Sequence, residues 1–153
     1  MGNLSNFIGK KNFSIERIRI ITAIYPAVWG LGQLVTGKML DYFCKKDMLF
    51  NGMFLQGIAL LFMSWAQTMT HFIFLSIILG WGTAIVYPTF LATVAENTNP
   101  NDRAKSLGIF RLWRDLGFAI WAILTGIIAD LLEINSSIVV VGLLTVASAM
   151  IIQ

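Results

Sequence analysis

Thr22, Pro26, Trp29 and Gln33 recur at helical spacing within one uncharged run, with Tyr25 beside them; Ser76, Gly80, Thr83 and Tyr87 repeat the pattern in another. Amide, hydroxyl and indole groups are costly against an apolar surround, so such faces turn toward protein or a wet cavity. Two readings stand side by side. Thr22, Tyr25, Trp29, Gln33, Thr83 and Tyr87 line a path for a small solute, or these faces are small-residue helix contacts with a few satisfied polar groups. Trp29 and Gln33 favour the path, and Ser76 and Gly80 favour packing.

Other chemistries have little to work with. His71 is the one histidine, in a short loop facing water, and no companion ligand stands at metal-binding spacing. Cys44 is the one cysteine, which excludes an internal disulfide. The acids Glu96, Asp115, Asp130 and Glu133 all fall near the ends of apolar runs. With no paired acids inside a run there is no evident catalytic constellation, and no enzyme, cofactor or metal site is expected. A carboxylate that couples transport to protons would have to lie on helices outside this chain. Arg111, Arg114 and Asp115 stand at the cytoplasmic entrance of the fourth run. They read either as gate residues or as anchors that snorkel to lipid headgroups.

These residues are embedded in a chain built for lipid. Of 153 residues, 57% are hydrophobic and only 12% charged, with a mean hydropathy of +0.75. A soluble chain of this length leaves too much of its surface in water to hide that much apolar area. The net charge of +3 is modest, and the basic residues are confined to short segments between apolar runs, so no nucleic-acid partner is expected. The partner is a bilayer.

Charges divide the chain into apolar runs near 15–37, 48–67, 71–96, 105–132 and 135–152. A helix needs about 20 apolar residues to cross the hydrocarbon core, and lipid offers backbone N–H and C=O groups no partner. The expected architecture is all-α: one integral-membrane domain over residues 1–153, with about five transmembrane helices. Ser14 is placed to cap the first helix, with Glu16 in its first turn. Asn99-Pro100-Asn101-Asp102 has strong turn chemistry. Pro26 and Pro88 lie within runs and are expected to kink or loosen their helices without ending them.

Packing roles are expected to differ among the runs. The first, third and fourth supply most of the polar or tightly packed surface. In the fourth, Ala119, Ala122, Gly126 and Ala129 form a stripe that lets backbones approach. The second, with Leu55, Leu60, Leu61, Phe62 and Met63, reads as facing lipid. Lys38, Lys45, Lys46, Arg103, Lys105, Arg111 and Arg114 gather on one side, which the positive-inside rule makes cytoplasmic. The N-terminus is then outside, against the counter-signal of Lys10, Lys11, Arg17 and Arg19.

At the cytoplasmic end of the first run stands Gly37-Lys-Met-Leu-Asp41-Tyr-Phe-Cys-Lys45-Lys46. It is preceded by Ala23-Ile-Tyr25-Pro26-Ala-Val-Trp29-Gly30-Leu-Gly32-Gln33 and followed by Gly80-Trp-Gly82-Thr-Ala-Ile-Val-Tyr87-Pro88-Thr. Arg103-Ala-Lys-Ser-Leu-Gly108-Ile-Phe-Arg111-Leu-Trp-Arg114-Asp115-Leu-Gly117 then leads into the fourth. Each piece alone is weak; in this order, from about Ser14 onward, they resemble helices eight to twelve of a major facilitator transporter. The family's loop signature usually has arginine and glycine where this chain has Tyr42 and Cys44. Trp121 stands where relatives often have glycine.

The resemblance implies an incomplete six-helix half-bundle in the cell membrane, multi-pass, moving a small solute by alternating access. It also implies a gate in which Lys45 pairs with Glu96, with Gly37, Asp41 and Lys46 around it. Such transporters have two six-helix halves with the path between them, so a separate chain is expected to supply the missing helices. The chain is then a gene fragment, a product of a miscalled start, or one piece of a split protein. The competing expectation is a small membrane structural or regulatory protein, or an inactive transporter fragment.

Overall fold

The computed structural model describes residues 15–131 and 134–152, and every described element is helical: α1 (Ile15–Met39), α2 (Lys45–Trp65), α3 (Met69–Glu96), α4 (Arg103–Leu131) and α5 (Ile134–Ile152). The Ser14 cap and the side chains of Glu16, Arg17, Ala129, Asp130 and Glu133 lie outside what is described. Three helices are long and apolar enough to cross a membrane, by Arg19–Met39 of α1, by α2 and by α3; α5 contributes a shorter apolar stretch, Ser136–Ile152. In α3, 28 residues extend roughly 42 Å at 1.5 Å per residue, more than the roughly 30 Å of a hydrocarbon core.

The helix ends follow local chemistry. Thr68 starts α3, its side chain accepting from the His71 N–H at 3.3 Å. At the other end, the Asn97 N–H closes on the Thr93 carbonyl at 3.2 Å. Between α3 and α4 the Asp102 N–H donates to the Asn99 carbonyl at 2.9 Å, a turn around Pro100.

Packing centres on α2 and α3. α3 lies against both α1 and α2, α2 also lies against α5, and α4 meets α3 and α5 more sparsely. This corrects the expectation that α2 faces lipid. Met63 is fully buried, Leu55, Leu60 and Leu61 are half-buried, and Phe62 alone of that group is exposed. The reason is small residues among large ones. A methyl built on Gly82 would sit 2.9 Å from the Gly52 carbonyl oxygen, and one on Gly57 would meet Val146 and, at 3.2 Å, the Gly142 carbonyl. Two glycines thus give α2 two grooves, one for each neighbour. Dispersion between closely approached backbones holds the helices, since lipid tails are as apolar as leucine.

α4 departs from its expected close-packing role. Ala119 and Ala122 are exposed, and a methyl on Gly126 would meet nothing within 4 Å. An apolar knot of Ile21, Met63, Ala66 and Phe72, backed by Met69, Ile73, Leu75 and Ile138, closes one end of the assembly. The opposite end carries the charged turns.

Candidate solute site and charged end

The seam between α1 and α3 positions the site. A methyl on Gly80 would lie 2.8 Å from the Tyr25 carbonyl oxygen, and one on Gly32 would lie 2.7 Å from the Ala84 side chain. Further along, the buried Thr36 hydroxyl donates to the Ala84 carbonyl at 2.7 Å. That carbonyl is four residues before Pro88, which has no N–H to give it, so the neighbouring helix supplies the missing donor. Pro88 therefore sits inside α3 without ending it.

On this seam the aromatic residues converge. The Tyr25 and Trp29 rings stack at 6.4 Å, and Tyr87 meets Trp29 edge-on at 6.1 Å. The Tyr25 hydroxyl donates to Thr83 Oγ1 at 3.4 Å, the Gln56 amide donates to the same atom at 3.0 Å, and Thr83 donates to the Leu79 carbonyl at 2.8 Å. From α4, the Arg114 guanidinium carbon stands 5.1 Å from the centre of the Tyr87 ring, within cation–π range. The Trp29 indole nitrogen is buried with no acceptor among the described residues.

Tyr25, Trp29, Thr83 and Tyr87 are thus brought together. Gln33, one turn beyond Trp29, is half-buried and makes no hydrogen bond among the described residues. The Thr22 hydroxyl turns back to the Arg19 carbonyl at 3.0 Å. Ser76 is fully buried and its hydroxyl has no partner among the described residues. Gln56 is a member that sequence reasoning passed over. An amide midway along an otherwise apolar helix was the available signal.

Arg114 binds Asp115, its neighbour in sequence, at 2.7 Å. Because its guanidinium lies against Tyr87, nine residues before Glu96, it sits roughly 13 Å along the helix axis from the charged end. Arg111 is exposed. Phe90 and Phe110 meet at 5.9 Å between the two levels and hold the first half of α4 to α3.

At the charged end Lys45 Nζ lies 2.6 Å from Glu96 Oε1. Asp41 is exposed in the turn after α1 and forms no ion pair among the described residues. Lys46 is exposed too. A methyl on Gly37 would meet nothing within 4 Å, so close approach to α3 belongs to Gly32. His71 is exposed at the start of α3, and no three His, Cys, Asp or Glu side chains gather among the described residues.

This arrangement is an aromatic and hydroxyl patch shared by three helices, with a cation against it and an ion pair two to three turns away. A model of the Major Facilitator Superfamily matches residues 1–152. An MFS-type transporter of Methanocaldococcus jannaschii, itself uncharacterised, is 28% identical over 137 residues. That alignment covers 88% of this chain and 35% of the relative, so the chain spans about a third of that protein's length.

Proposed function

This chain belongs to the Major Facilitator Superfamily, and from that premise we propose that it moves a small solute across the cell membrane by alternating access. It contributes part of one half of the transporter, as a multi-pass protein with its basic turns in the cytoplasm. Helices encoded outside this sequence supply the facing wall; the relative's greater length supports that reading. The observation that carries the proposal is the meeting of Tyr25, Trp29, Tyr87 and Arg114 from three helices. Aromatic faces and a few directed polar groups are what a small-molecule site needs.

Lys45 and Glu96 act in this proposal as a latch at the cytoplasmic end. The pair ties the start of α2 to the end of α3, and a two-state carrier is biased by small differences between its states. Asp41, Lys46, Gly37 and Arg111 belong to the same cytoplasmic surface.

The test is flux. The chain, co-expressed with the reading frames on either side of its gene, is reconstituted in liposomes. A panel of labelled sugars, amino acids, organic acids and phosphate esters is then offered. At least one solute should equilibrate faster than into empty liposomes, and Trp29→Ala should abolish the difference. No flux of any solute, with all helices present and folded, would contradict the proposal.

A further inference from the structure

The proposed solute site contains one full positive charge held against an aromatic ring and one negative charge whose described contact is that cation. A cation among membrane-spanning helices is costly and usually serves an ion or substrate path. The Arg114 guanidinium lies against the Tyr87 ring, 5.1 Å from its centre, and Tyr87 stands nine residues before the end of α3 at Glu96.

The two partners of the Arg114–Asp115 pair are held differently. The Arg114 side chain is 29% exposed and the Asp115 side chain 63% exposed. Arg114 is fixed by Tyr87, whereas the one described contact of the Asp115 carboxylate is Arg114 itself. Asp115 is therefore the replaceable counter-ion. A carboxylate or phosphate on a ligand can take the same fork of N–H donors, two at a time.

A second, independent observation points the same way. The buried Trp29 indole N–H has no acceptor among the described residues, though it packs edge-on with the ring that holds Arg114. A buried donor left unpaired is rare and calls for an explanation. The nearest hydroxyls direct their hydrogens elsewhere, Tyr25 to Thr83 and Thr83 to the Leu79 carbonyl, and neither is bonded to the indole. The site offers an unused N–H donor and aromatic faces beside the Arg114 guanidinium.

We infer that the solute carries an oxyanion, a carboxylate or a phosphate, which replaces Asp115 on Arg114, together with a flat apolar part that lies against Tyr25, Trp29 and Tyr87. This rests on the proposed solute site, but it is tested by binding and not by flux.

The full chain, labelled with ¹⁵N and placed in lipid nanodiscs, is titrated with benzoate, phenyl phosphate and the neutral benzamide. The Trp29 indole resonance is assigned with Trp29→Phe. Benzoate or phenyl phosphate should move that resonance saturably, benzamide should not, and whichever anion acts tells a carboxylate site from a phosphate site. Arg114→Gln should weaken binding about tenfold or more, as loss of a charge-assisted hydrogen bond does. Asp115→Asn, which removes the competing carboxylate and keeps the arginine, should strengthen it. An unmoved resonance with both anions overturns the inference, as does an equal response to benzamide, or weaker binding by Asp115→Asn. Anion binding without flux would leave the inference standing and count against transport.

Discussion

The Thr36 hydroxyl donates to the Ala84 carbonyl at 2.7 Å, and Thr36 is fully buried. In an unbroken helix the Ala84 carbonyl would receive the N–H of residue 88, and residue 88 is proline. One hydroxyl therefore repairs a helix that is not its own and fixes the register of α1 against α3. Since Tyr25 and Trp29 lie on α1 and Thr83 and Tyr87 on α3, that register also brings the aromatic cluster together.

Thr36→Val keeps the shape of the side chain and removes the donor. It should destabilise the chain by about 1 kcal/mol, in the range for interhelical hydrogen bonds in membranes and for carbonyls left unpaired. Thr36→Ser should retain most of the stability. The measurement is equilibrium unfolding in mixed micelles, and equal stability for all three proteins would mean that the carbonyl does not depend on Thr36.

Glycine substitutions should divide by position. A methyl on Gly82 would press on the Gly52 carbonyl at 2.9 Å and on Gln56 at 2.8 Å, whereas one on Gly30 meets nothing within 4 Å. Gly82→Ala should cost about 1–3 kcal/mol, the usual penalty for overpacking. Gly30→Ala should be neutral or stabilising by up to about 1 kcal/mol, because alanine is the better helix former. Thermal unfolding in detergent distinguishes them, and the same sign for both would deny the close crossing of α2 and α3.

The Lys45–Glu96 pair is partly solvated, with side-chain exposures of 27% and 61%. A double-mutant cycle with Lys45→Met and Glu96→Gln should give a coupling of only about 0–1 kcal/mol, smaller in high salt. If the pair is a latch, Glu96→Gln should still change the flux rate. Unaltered flux with the full set of helices would reduce the pair to a surface contact.

Much of the architecture was legible in the sequence. Charges interrupt apolar runs at Arg19, Lys38, Lys45, Glu96 and Arg103, and those breaks fall within a few residues of the helix ends. Tyr25, Trp29, Thr83 and Tyr87 were legible because polar and aromatic groups at helical spacing stand out in such runs. The role of α2 was not. Its large side chains drew attention, whereas its packing is set by Gly52 and Gly57, whose partners Gly82 and Gly142 lie on other helices. The fourth run, read as 105–132 with Arg114 at its cytoplasmic entrance, matches the helix that starts at Arg103. What its spacing did not reveal is that the Arg114 guanidinium lies against the Tyr87 ring of α3. Nothing in the spacing of α4 revealed that Gly126 would face open space.

The central claim is that the ring cluster on α1 and α3 is where the solute sits. The most direct measurement is solute flux by the reconstituted transporter carrying Tyr87→Ala, compared with Phe74→Ala on the same helix, whose ring is exposed. Tyr87→Ala removes the ring that both Trp29 and Arg114 rest on. It should lower flux at limiting solute about tenfold or more, equivalent to roughly 1.4 kcal/mol of lost interaction, whereas Phe74→Ala should leave flux near wild type. Equal flux from the two variants, each shown to be folded, would place the solute path elsewhere.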